Sequence, residues 1–113
     1  MKYLTLAACL FVSVTVANAH SKMNATTPAD GTILSSPPTE IAFSFSDKLR
    51  LTKVEASHSS GDSQSIDLSD HKSFADAFTL SIEPMGTGVY DVEWRGLGVD
   101  GHAMQGAFSF EVE

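Results

Sequence analysis

In four stretches of this chain apolar side chains recur at every second position: Ile41, Phe43 and Phe45; Phe78, Leu80 and Ile82; Tyr90, Val92 and Trp94; Phe108, Phe110 and Val112. A period of two sends alternate side chains to opposite faces of the backbone, whereas a helix needs apolar residues three and four apart, so each run reads as a half-buried strand. Residues 49–56 and 63–68 supply two further strands, and a first strand is expected soon after residue 20. Turn chemistry separates the runs at Pro28-Ala29-Asp30-Gly31, Ser36-Pro37-Pro38, Ser59-Ser60-Gly61-Asp62, Pro84-Met85-Gly86 and Gly98-Val99-Asp100-Gly101. Residues 71–77 fit either a helical turn or a loop. Sheets that each carry one apolar face bury them by packing against each other. The expectation is therefore an all-β fold, an immunoglobulin-like Greek-key β-sandwich of about seven strands.

The beginning of the chain follows a different pattern. Lys2, an apolar run from Leu4 to Val16 and the small-residue end Ala17-Asn18-Ala19 read as a secretory signal peptide over residues 1–19, cleaved ahead of His20. The run is too short and too interrupted by Thr5, Ser13 and Thr15 to span a membrane, which takes about 20 mostly apolar residues. A lipoprotein reading of Leu6-Ala7-Ala8-Cys9 is disfavoured, because it would strand the apolar residues 10–16 in the mature chain. Cleavage after Ala19 removes 19 of 113 residues and leaves 94, enough for one domain, residues 20–113, and one core. The chain is expected to be exported.

Cys9 is the only cysteine, so the mature domain forms no disulfide and offers no thiolate to a metal. Loss of Lys2 leaves six of the seven basic residues against all fourteen acidic ones, a side-chain charge of −8. Nucleic acid is not a partner for such a surface.

A histidine at the first mature position carries two metal donors, since its α-amine and its imidazole Nδ1 close a six-membered ring on one ion. Both nitrogens lose their protons near neutral pH, at about 7.7 to 8.0 and about 6.5, so a divalent ion displaces those protons readily. Near the other end, Asp100-Gly101-His102 places a carboxylate and an imidazole on either side of a glycine that permits a tight turn. Three nitrogens and one carboxylate oxygen suit the tetragonal preference of Cu(II), which also stands above Zn(II) in the order of affinities. Met23, Met85 and Met104 are scattered along the sequence and form no clustered thioether set for Cu(I). One Cu(II) ion per chain is expected.

The mature sequence resembles the CopC family of periplasmic copper-binding proteins. The landmarks are His20-Ser21-Lys22-Met23, Pro28-Ala29-Asp30-Gly31, the strand from Ile41 to Phe45 followed by Ser46-Asp47, Tyr90-Asp91-Val92-Glu93-Trp94-Arg95, and Asp100-Gly101-His102 with Gly106 and Phe108 beyond it. The resemblance implies that His20 binds copper through amine and ring, that His102 adds a nitrogen, and that Asp100 lies in or beside the coordination sphere. Asp47 falls where the family commonly has an acidic residue near the copper, as a weak ligand or as an acceptor for an imidazole N–H. The methionine-rich loop of some members is lacking. An inner-membrane copper transporter of the CopD type is the implied partner, for a monomeric protein that sequesters or traffics copper and performs no catalysis.

Two other readings compete. A terminal-histidine copper chelate also occurs in small oxidative copper enzymes, and a sandwich of this size can serve as an interaction domain that binds no metal. His58 and His71 read as solvent-facing loop residues, and Tyr90 and Trp94 as core.

Overall fold

A computed structural model describes residues 23–113, so the signal-peptide reading and His20 lie outside the described residues. The described chain is all-β, with seven strands: β1 (Met23–Thr27), β2 (Thr32–Leu34), β3 (Glu40–His58), β4 (Ser63–Ser65), β5 (Ala75–Ser81), β6 (Gly88–Gly98) and β7 (Ala103–Val112). Residues 71–77 form a loop and the start of β5, and no helix occurs among the described residues.

The organising element is β3. Its first half lies between β1 and β5, with Phe43 opposite Thr26 on one side and Phe78 on the other. Its second half lies between β4 and β6, with Ala56 opposite Gln64 and Val92. β6 continues the sheet to β7, and β2 closes it in parallel along the end of β7. The expected strands at residues 41–45 and 49–56 are thus one strand of 19 residues that passes from one layer of the sandwich to the other.

The crossing is local and visible in the register. Between Ser44, opposite Ala77, and Leu49, opposite Ala75, β3 inserts residues 45–48 against the single residue 76 of β5. Phe45 still points into the core, while Ser46, Asp47 and Lys48 are all exposed. A second extra residue, Thr52, lies between Leu51, opposite Gly96, and Lys53, opposite Arg95, and restores inward direction to Val54, Ala56 and His58. Such insertions bend a strand and re-aim its side chains.

The core joins the two layers through rings. Phe45 lies edge-on to Trp94 at 4.8 Å, Phe43 reaches Phe108 at 5.9 Å, and Tyr90 stacks on Phe110 at 4.8 Å. Trp94 passes directly over Gly106, its cross-strand partner, where a Cβ would meet the indole at 2.7 Å. Pro28-Ala29-Asp30-Gly31 fastens the β1–β2 turn to β7, because Asp30 Oδ1 accepts the Ser109 N–H at 2.9 Å and the Gly31 N–H donates to the Ser109 carbonyl at 2.8 Å.

Candidate metal centre

β6 and β7 form a hairpin whose tip carries Asp100 and His102. The Gly101 N–H donates to the Gly98 carbonyl at 2.9 Å, and the Gly98 N–H donates to the His102 carbonyl at 2.9 Å. Gly101 has φ +83°, the left-handed conformation that a three-residue hairpin loop requires at its last position and that glycine adopts without strain. This glycine folds the two flanking side chains together. Asp100 Oδ2 lies 2.6 Å from His102 Nδ1, and Asp100 Oδ1 accepts the His102 backbone N–H at 3.1 Å.

The carboxylate therefore engages His102 twice. Its bond to Nδ1 selects the tautomer and leaves Nε2 as the nitrogen available to a ligand, the arrangement in which a carboxylate orients a metal-binding imidazole. Hydrogen bonding to the His102 ring, then to its backbone N–H, holds the Asp100 carboxyl below the usual carboxylate range. The same hydrogen bond, followed by the negative charge of Asp100, raises the His102 imidazole above its ordinary value. Both side chains face solvent.

Asp47 stands in the exposed excursion of β3. Leu49, two residues on, pairs with Gly98, so the excursion borders the hairpin tip in the sheet. Met23 opens β1 opposite Phe45, which places the beginning of the described chain beside the same excursion. The fold thus brings three sequence-distant segments to one end of the sandwich. It does not draw Asp47 into a cluster with the pair: among the described residues, no group of three or more His, Cys, Asp and Glu side chains is close enough to hold a metal ion. Asp100 and His102 fit a copper ion as a partial donor set, an oriented imidazole with an adjacent carboxylate, and need further donors.

His58 departs from the expectation of a solvent-facing residue. It is only 8% exposed, because the alternation Val54, Ala56 continues through it and turns it inward. Its ring lies edge-on to Tyr90 at 4.8 Å, and its Nδ1 accepts the Ser60 N–H at 3.1 Å. His71 is half-buried with its ring 6.3 Å from Phe78. Tyr90 and Trp94 are core residues as expected.

Gly98, read in the sequence as a turn residue, and Met104, read as one of three scattered methionines, lie together at the hairpin. A Cβ on Gly98 would stand 2.8 Å from Asp100 Oδ1 and 3.1 Å from the terminal methyl of Met104. The missing side chain makes room for both, a relationship that only the fold reveals.

Fold and hairpin define a class of small β-sandwich proteins that present polar side chains on the connections at one end. Within that class the match is specific: a family model described as the CopC domain matches residues 23–113, and the chain belongs to the CopC family. Among solved structures it is similar to CopC from Methylosinus trichosporium OB3b, with 21% identity over 83% of this chain and 94% of that one and a TM-score of 0.67. It is also similar to PcoC, described as a copper resistance protein from Escherichia coli, with 22% identity over 81% of this chain and 99% of that one and a TM-score of 0.58. These likenesses agree with the all-β sandwich. No curated protein sequence matches the chain.

Proposed function

We propose that this protein is exported to the periplasm, begins at His20 once residues 1–19 are removed, and binds one Cu(II) ion as cargo for sequestration or delivery. The ligands are the α-amine and Nδ1 of His20 and Nε2 of His102, with Asp100 fixing the second imidazole and lying in or beside the coordination sphere.

The observation that carries the reading is the doubly bonded Asp100–His102 pair, which points an otherwise unengaged imidazole nitrogen outward. The position of β1 supports it. Met23 stands three positions after His20, a span of at most about 10 Å when extended, and lies at the end of the sandwich that also holds Asp47 and the hairpin tip. Asp47 serves there as a weak ligand or as an acceptor for an imidazole N–H. Family membership and the copper resistance role of the Escherichia coli relative agree with copper over other metals.

Cargo binding requires no bond to be made or broken, so the protein acts as a carrier, a monomer handing copper to an inner-membrane transporter of the CopD type. Replacing His102 by alanine tests the assignment. The loaded variant should lose one nitrogen from the Cu(II) electron paramagnetic resonance spectrum and bind copper at least tenfold more weakly. An unchanged spectrum and affinity would exclude His102 as a ligand.

A further inference from the structure

We propose that the outer edge of β5 pairs with β5 of a second copy of this chain, so that two sandwiches join through one antiparallel ladder. The inference goes beyond the copper reading: each copy holds its copper singly, and the edges meet as concentration rises.

The register of β5 on β3 decides which of its backbone groups are engaged. The Ile82 N–H donates to the Thr39 carbonyl at 3.0 Å, and the pairs continue as Leu80 with Ile41 and Phe78 with Phe43. Bonding alternates along an antiparallel strand. Phe78, Leu80 and Ile82 therefore turn their backbone groups toward β3, while Ala77, Thr79, Ser81 and Glu83 turn theirs to the other side. Among the described residues, no strand pairs with that side. One of the four outward residues is already bonded. The Gln64 side-chain amide accepts the Glu83 N–H at 2.9 Å and donates to the Glu83 carbonyl at 2.8 Å, the two bonds that a residue of a neighbouring strand would make. The edge thus already takes an amide in strand fashion at Glu83, and the same pair of bonds stands open to a partner at Ala77, Thr79 and Ser81.

The side chains along this edge fit a second β5. Natural sheets keep open edges apart with lysine, proline or a bulge, and β5 has no lysine or proline; Asp76 is its one charge. Ala77, Thr79 and Ser81 are small, uncharged and exposed. The row is also self-complementary, as a twofold contact requires. In a pairing centred on Thr79, Ala77 of one copy faces Ser81 of the other, and the two Thr79 residues face each other. Asp76 then faces Ile82, which sets the two Asp76 carboxylates six positions apart along the ladder, about 20 Å. Charges act over roughly 8 Å at physiological salt, so the two do not oppose the contact. Three facing pairs bury little surface, and the association is weak and reversible. The acidic surface of each copy slows the approach, so added salt strengthens the pairing.

Sedimentation equilibrium of the protein starting at His20, kept metal-free with EDTA to exclude copper bridges, reads the pairing. Expected is an average mass that rises from the monomer value toward twice that value between about 10 μM and 1 mM, more steeply at higher salt. Over the same range, NMR of the wild type should shift the amide protons of Ala77, Thr79 and Ser81 more than those of Phe78 and Leu80, and this reading needs no variant. Thr79→Pro removes an outward N–H that makes no bond to β3, a change that an edge strand tolerates. Its mass should stay at the monomer value throughout, with Cu(II) affinity unchanged. A wild type that remains monomeric to about 1 mM would overturn the self-pairing and leave the edge to an extended segment of another protein. Self-association that survives Thr79→Pro, or that moves amides away from β5, would overturn it in favour of a different surface.

Discussion

Across Gly101, the carboxylate of Asp100 grips His102 at two points, Oδ2 on the ring Nδ1 at 2.6 Å and Oδ1 on the backbone N–H at 3.1 Å. An imidazole held this way should titrate above 6.5, its ordinary value, and the Asp100 carboxyl below 3.8. For stability the two signs are opposite. The raised imidazole contributes fully below 6.5 and loses its contribution as pH rises through its folded-state value; the depressed carboxyl contributes fully above 3.8 and loses its contribution as pH falls through its own. Both are at full strength between those values. Nitrogen-detected NMR of the metal-free protein should place the His102 midpoint above 6.5, and Asp100→Asn should lower it. A midpoint that ignores the substitution would mean that the pair does not persist in solution.

Gly106→Ala tests how the two layers meet. The new methyl would collide with the Trp94 indole at 2.7 Å, and Trp94 is only 1% exposed, so the ring has no free space to take up. Overpacking of this kind costs about 1 to 3 kcal/mol. Urea unfolding followed by the fluorescence of Trp94, the one tryptophan, should show a clearly lowered midpoint. An unchanged midpoint would contradict the packing of indole on glycine.

His58→Ala separates structural from metal-binding histidines. The substitution removes the edge contact with Tyr90 and the bond from the Ser60 N–H, for an expected destabilisation of about 1 to 3 kcal/mol. Copper stoichiometry and affinity, measured below the unfolding transition, should match the wild type. A lost copper equivalent would give His58 a role that its buried position argues against.

These residues also show what a sequence displays and what it conceals. The inward rows Ile41, Phe43, Phe45 and Tyr90, Val92, Trp94 were legible because period-two alternation is a direct image of a half-buried strand. The continuity of β3 was not. Ser46, Asp47 and Lys48 interrupt the alternation as a turn would, yet the chain crosses between layers there without reversing. β2 has three residues, too few to carry a period, and is held by its parallel pairing with β7. His58 continues an inward row, but a polar residue at the end of such a row reads as the loop beyond it. In the candidate site, the Asp100–His102 pairing was legible through Gly101, because a left-handed glycine between two polar residues folds them together. The packing of Met104 and Asp100 around Gly98 was not, since it depends on the side chain absent there.

The measurement that tests the copper reading most directly is a competitive Cu(II) titration of two proteins, one starting at His20 and one retaining Ala19 ahead of it. The added residue converts the α-amine of His20 into an amide and abolishes the chelate, while Asp100, His102 and the sandwich stay as they are. Expected is one tightly bound Cu(II) in the protein that starts at His20 and an affinity lower by orders of magnitude in the extended form. Equal affinities would place the copper elsewhere and contradict the terminal chelate.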